Sequence, residues 1–271
     1  MADEKEYILG TDADEIARLR FQHKAWLEQA YSLWERAGLR HGDVVLDLGC
    51  GPGFTSFELA DVVGPEGRVI ARDVSPRFLD FLKAERDRRR FANVESSLGP
   101  VEELDLPEAS IDAAYARWLF CWLPDPGEAL QRVARCLRPG GALLLQDYLD
   151  WGAMKLVPPD ADHDLAVSAC MRSWEEGEGT IDVAELIPGL AAECGLRVEF
   201  FQPISRLGAV GSLEWRWLGE FLASYLPKLV ERGTFTRAEF EAFQVTWAGL
   251  NEAGTSYIFT PTVADIILRK P

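Results

Sequence analysis

The sequence predicts an α/β fold: a doubly wound, mostly parallel sheet wrapped by helices on both faces, with a helix in front and a helical cap inserted late in the chain. Three observations carry this. Between residues 44 and 147, short apolar runs alternate with amphipathic stretches of helix length. A buried strand at 44–48 runs directly into the turn Gly49-Cys50-Gly51-Pro52-Gly53. After Asp150 the texture changes to helices rich in aromatic residues. Strands alternating with helices form βαβ units, and their right-handed crossovers bring the strand C-termini, and any ligand, to one edge of the sheet.

Taken in order, Ile16, Leu19, Trp26, Leu27, Tyr31 and Trp34 recur at helical spacing from Thr11 to about Gly38, and His41-Gly42-Asp43 breaks the helix. Strands follow at 44–48, 68–73, 94–98, 111–116 and 142–147, with helices at 54–63, 75–90 and 125–137 between them. Ser75 supplies an N-cap and Pro76 the first helical position. Beyond Asp150, residues 162–176 form an amphipathic helix with Val167, Met171 and Trp174 on one face. Pro188 opens a further helix, Gly195 ends it, and a strand follows at 197–201. Helices are expected at 213–232 and 236–250, the second started by a capping box of Thr236 and Glu239, and residues 266–268 close the sheet. The chain thus divides into an N-terminal helical segment (1–40), a core (41–150), and a remainder (151–271) in which about 203–255 caps the sheet.

A chain of 271 residues, 48% hydrophobic and 27% charged, is an ordinary globular mixture. Its formal net charge of −16 repels a phosphate backbone, so no nucleic-acid partner is expected. The basic run 86–90 is the solvated end of a helix. No apolar stretch approaches the ~20 residues of a membrane span. The acidic start MADEKEYILG does not resemble a signal peptide. Five scattered cysteines without a CxxC pair indicate neither a disulfide framework nor a zinc site, and three dispersed histidines suggest no metal; a reducing cytoplasm fits.

The glycine turn carries the chemistry. Glycines let the backbone turn sharply and let a ligand approach it closely. The turn reads GxGxG after an acid, Asp47, rather than the GxGxxG of dinucleotide enzymes. That acid suits an ammonium group and would repel a pyrophosphate. Twenty residues past Gly53, Asp73 ends the second strand, where a carboxylate can accept hydrogen bonds from both hydroxyls of a ribose. Capping of the next helix would explain Asp73 differently, but Ser75 already does that.

Four segments in order, Asp47-Leu48-Gly49-Cys50-Gly51-Pro52-Gly53, Arg72-Asp73-Val74-Ser75, Leu123-Pro124-Asp125-Pro126 and Leu137-Arg138-Pro139-Gly140-Gly141, resemble the signatures of class I S-adenosylmethionine-dependent methyltransferases over about residues 40–150. The resemblance implies a Rossmann-like fold, S-adenosylmethionine as methyl donor with S-adenosylhomocysteine as product, and a small-molecule acceptor. It implies that Gly49, Gly51 and Gly53 line the methionine and ribose, with Asp47 at the ammonium and Asp73 on the ribose. Ala116 or Arg117 would then lie beside the methionine, and Val101 and Glu102 near the adenine. The family's usual Gly-Asp-Ala reads Gly99-Pro100-Val101-Glu102 here, so Glu102 or a backbone group must replace the aspartate. The stretch around Tyr7-Ile8-Leu9-Gly10 and 15–22 resembles a leader that folds over the cofactor as a lid, from which Tyr7, Arg18 and Gln22 would reach the methionine carboxylate.

Methyl transfer from a sulfonium asks the protein mainly for alignment and exclusion of water. A general base is needed only if the acceptor loses a proton, and His23, Asp147, Tyr148 and His163 are candidates by position. The resemblance places Trp118, Trp122, Trp151 and Trp174 around the acceptor, where they could stack on a planar or apolar molecule or simply pack the cap. The expected function is methylation of a small, apolar or aromatic metabolite at oxygen, nitrogen or carbon. The alternatives are a protein or nucleic-acid methyltransferase and a cofactor-binding protein without methyl transfer; no tetrapeptide of the amino-base methyltransferases occurs.

Overall fold

A computed structural model describes residues 9–177 and 179–271; Tyr7 lies outside the described residues. The first helix, α1 (Ala13–Ala37), is capped by the Asp12 carboxylate, which accepts from Glu15 N–H at 2.9 Å, and it ends at Gly38. There follow β1 (Val44–Leu48), α2 (Phe54–Val63), β2 (Arg68–Asp73), α3 (Pro76–Arg89), β3 (Val94–Leu98), β4 (Ile111–Arg117), α4 (Pro126–Cys136) and β5 (Leu137–Asp150). The second half contains β6 (Lys155–Val157), α5 (Ala161–Glu175), α6 (Ile187–Glu193), β7 (Arg197–Ile204), β8 (Leu207–Ala209), α7 (Leu213–Arg232), α8 (Arg237–Ala253), β9 (Tyr257–Phe259) and β10 (Thr262–Arg269).

Seven strands form one sheet in the order β3-β2-β1-β4-β5-β10-β7. The five from β3 to β5 are mutually parallel, and β10 runs antiparallel to both β5 and β7. The central strand reads as a continuous apolar run because helices cover both faces: Val45, Leu46 and Leu48 are buried. The order reverses direction between β1 and β4, with Leu48 level with Arg72 on one side and Ala116 on the other. A crevice opens at such a switch point, outside the strand C-termini.

One core fills the α2–α3 face, around Trp34, Phe57, Leu79 and Tyr115. The other runs without a break from the α4 face into α5, α6 and α7, so no separate core marks off the cap. The capping box of Thr236 and Glu239 forms as expected and starts α8.

Several features depart from the sequence expectation: β7 runs on to Ile204 and β10 spans Thr262–Arg269, both longer than expected because they pair with each other along their length. β5 begins at Leu137 rather than Ala142, because Gly140 N–H donates to Lys270 O and Gly141 O accepts from Lys270 N–H, both at 2.9 Å, and so extend the ladder. A small antiparallel sheet, β6-β9-β8, was not foreseen. Its strands are three residues long, too short to display alternation. Among the described residues, no helix is long and apolar enough to cross a membrane.

Candidate functional site

The glycine turn joins β1 to α2 at the switch point. Gly49 and Gly51 have φ of +62° and +54°, values a side chain would make costly. A Cβ on Gly51 would meet only Leu19 of α1 within 4 Å, so its backbone faces open space beneath that helix. Gly53, at φ +84°, has a further reason: a Cβ there would collide with Leu82 of α3. Asp73 holds the turn from the side. Its two carboxylate oxygens accept from Gly51 N–H and Ser75 N–H, each at 2.8 Å. Ser75 itself caps α3 by accepting from Phe78 N–H at 3.3 Å.

The cleft under α1 is lined by Leu19, Gln22 and His23 from above and by Asp47, the turn 49–52, Thr55, Arg117 and Trp118 from below. Asp47 is buried and accepts from Ser56 Oγ at 2.6 Å, and burial raises its carboxyl to a pKa of about 7. Arg117, at the end of β4, gives one terminal nitrogen to Thr55 Oγ1 and His23 Nδ1, both at 3.2 Å; the other, Nη1, is buried without a partner. The contact with His23 makes Nδ1 an acceptor and leaves the proton on Nε2, which faces Glu58 at 3.8 Å. Burial holds the His23 ring below its usual pKa.

Arg18 is not in this lining. Its guanidinium takes both Glu15 oxygens at 2.7 Å and reaches Gln22 Oε1 at 3.0 Å. Gln22 does line the cleft, and its Oε1 also accepts from Trp217 Nε1 at 3.1 Å, joining α1 to α7. Beyond β3, Val101 and Glu102 lie in a single turn of 3-10 helix. Arg72, not singled out from the sequence, clamps that turn by donating to Pro100 O at 3.0 and 2.9 Å, Glu103 O at 3.0 Å and Ser97 Oγ at 2.7 Å. Its only sequence signal was its place beside Asp73 at a strand end.

A methyltransferase-domain family model matches residues 46–145, the segment that builds this turn and its flanking strands. A trans-aconitate 2-methyltransferase of Methylobacterium nodulans is 33% identical over 208 residues, 69% of this chain and 77% of that protein. The chain belongs to the class I S-adenosylmethionine-dependent methyltransferases. An arsenite methyltransferase of Halobacterium salinarum is 30% identical over 145 residues, 52% of this chain and 36% of that protein. The chain likewise spans 47% to 50% of three further curated relatives. Among solved structures, a protein described as the [4+2]-cyclase SpnF shares the fold at a TM-score of 0.59, with 19% identity over 90% of this chain and 80% of that one.

The residues of this methyltransferase fit its cofactor on two observations: a buried guanidinium nitrogen without an acceptor, and a turn whose central glycine leaves the backbone bare. Asp47 adds a buried carboxyl to the same lining.

On the acceptor side the proposed bases are scattered. Asp147 accepts from Phe120 N–H (2.9 Å), Cys121 N–H (3.3 Å) and Tyr148 N–H (3.0 Å), so its carboxylate ties down the loop after β4. Burial nonetheless raises it to about 6. Tyr148 is buried among rings. His163 is fully buried on α5 against Trp247 of α8 and outside the cleft lining, with burial lowering its pKa. Of the four tryptophans, Trp118 borders the cleft. Trp151 and Trp174 are buried; Trp174 donates to Cys121 O at 3.1 Å and lies 4.2 Å from the half-buried Trp122, centroid to centroid.

Proposed function

We propose that this protein transfers the methyl group of S-adenosylmethionine to a small, largely apolar or aromatic acceptor, at oxygen, nitrogen or carbon. The observation that carries the reading is the cleft under α1, where a partnerless Arg117 Nη1 and the buried Asp47 carboxyl share one lining. One cationic and one acidic group suit the carboxylate and ammonium of an amino acid. In this reading Arg117 holds the methionine carboxylate, Asp47 the ammonium, Gly49 and Gly51 the chain between, and Asp73 the ribose. Arg72 positions the Val101–Glu102 turn against the adenine. Arg18 acts indirectly, by fixing Gln22.

When bound, the cofactor supplies a methyl group on a sulfonium. The chain's part is to orient and to exclude water: α1 covers the turn, and the aromatic rings beyond Trp118 surround the acceptor. Of the four candidate bases only His23 lines the cleft, and for an acceptor that must lose a proton it would use Nδ1, once Arg117 turns from that nitrogen to the cofactor. The net charge of −16 supports a small molecule over a nucleic acid, and five unpaired cysteines support a reducing cytoplasm. The cyclase among the fold relatives motivates a second reading, in which the cofactor is bound and no methyl group moves. Incubation with methyl-labelled cofactor and a panel of aromatic acceptors separates the two. A labelled product supports transfer, whereas tight cofactor binding with no label in any product supports the second reading.

A further inference from the structure

Trp118 carries two unfavourable features at once. Its φ is +51°, a left-handed backbone that bulky residues seldom adopt, and its indole Nε1 is buried without a partner. What offsets them is contact between rings. The Trp118 indole stacks on Trp217 of α7 (5.6 Å between centroids, 26° between planes) and on Tyr148 of β5 (6.1 Å, 28°), and meets Trp26 of α1 edge-on at 5.4 Å. Trp26, Tyr148 and Trp217 are buried, while Trp118 is only half-buried and borders the cofactor cleft. It is thus the member of the four that can leave at least cost. Two more indole N–H groups of the cluster, on the buried Trp26 and Trp151, also lack acceptors.

We infer that the acceptor is a flat aromatic molecule that takes the place the Trp118 indole now fills against Trp217 and Tyr148. This rests on the methyl-transfer reading of the site and names its acceptor class. A ligand ring keeps the stacking that holds Trp118 in and carries neither of the penalties that Trp118 bears there. A saturated molecule of the same size forfeits the stacking, which is the basis of selectivity.

The test uses the full chain saturated with S-adenosylhomocysteine and labelled with 5-fluorotryptophan, the Trp118 fluorine signal being assigned from Trp118→Phe. The probes are 2-naphthol and its saturated counterpart decahydro-2-naphthol. The expected result is that 2-naphthol binds roughly 3- to 10-fold tighter, shifts the Trp118 signal and leaves that of Trp34, in the other core, unchanged. In Trp217→Leu the preference between the probes should fall to about twofold or less. Equal binding of the two probes, 2-naphthol binding with the Trp118 signal unmoved, or no 2-naphthol binding to protein that holds S-adenosylhomocysteine each overturns the inference and leaves the cofactor reading standing. Failure to bind S-adenosylhomocysteine removes both.

Discussion

The two sides of the crevice are built on different principles. On the cofactor side the carboxylate at a strand end is satisfied by backbone N–H groups: Asp73, closing β2, accepts from two. On the aromatic side, Trp26, Trp118 and Trp151 leave their indole N–H groups unpaired and touch mainly other rings. Directional bonds demand one residue type at one position. Ring packing demands area and approximate shape, which many sequences supply. The first side is specified by geometry and the second by volume, and substitutions on the two should behave differently.

The largest effect expected, on the aromatic side, is on stability. Trp151→Ala, at a fully buried site, should cost about 3–5 kcal/mol in denaturant unfolding and leave S-adenosylhomocysteine affinity of the folded fraction within about twofold. Equal loss in both measurements would erase the distinction between the sides. Trp122→Ala and Trp174→Ala sharpen it, since each should raise the acceptor KM and spare the cofactor.

Next come the cofactor contacts. Asp73→Ala should weaken S-adenosylhomocysteine and 5′-methylthioadenosine alike, by roughly 10- to 150-fold, the equivalent of a hydrogen bond to a charged group. Arg117→Met should lower only the first by a similar factor, because 5′-methylthioadenosine has no carboxylate; calorimetry with both ligands decides.

A smaller effect follows from Asp47, whose carboxyl is raised to about 7. Below that pH it holds a proton and loses its attraction for an ammonium, so S-adenosylhomocysteine affinity should be up to about 10-fold lower at pH 6 than at pH 8. Asp47→Asn should bind weakly at every pH. Because the folded state holds this proton more tightly than the unfolded chain, stability falls as pH rises from about 4 to 7; Asp47→Asn should therefore melt higher than the parent at pH 8 and lose that advantage near pH 4. The smallest effect concerns His163. Buried neutral, it gains a proton on unfolding below pH ~6.5. The parent should lose stability as pH falls through that range, and His163→Leu should narrow the loss by roughly 2–4 °C in Tm. Parallel melting curves for the two proteins would show that the ring is not strained by burial.

The same contrast explains what could be read in the sequence. The turn 49–53, Asp73 and the strands and helices that flank them were legible because glycines with left-handed φ and a carboxylate at a strand end have few substitutes. Asp147 was visible as an acid near the site, yet its three backbone partners depend on how the loop 118–121 folds back, which no local pattern encodes. Arg72 escaped notice for the same reason: it bonds carbonyls 28 to 31 positions away. Arg18 was read as a cofactor contact, but the helical offset of three residues puts Glu15 within reach of it first. The aromatic helices themselves were recognised from their periodicity. Which rings meet, and that Trp118 fills the space beside the cleft, is a matter of tertiary packing alone.

A chain of side-chain hydrogen bonds crosses the molecule beneath α1. Tyr115 OH donates to Gln146, Gln146 Nε2 donates to Asp265 Oδ1 at 2.7 Å, and Gln29 Nε2 donates to Asp265 Oδ2 at 2.5 Å. Gln29 and Asp265 are 236 positions apart in sequence. A lone change at position 29 would leave one oxygen of a buried acid without its donor, and a lone change at 265 would leave two amide N–H groups without their acceptor. Among natural variants these two sites should therefore drift as a pair, and a segment exchange that transplants the first 40 residues from a relative should fail unless position 265 travels with them.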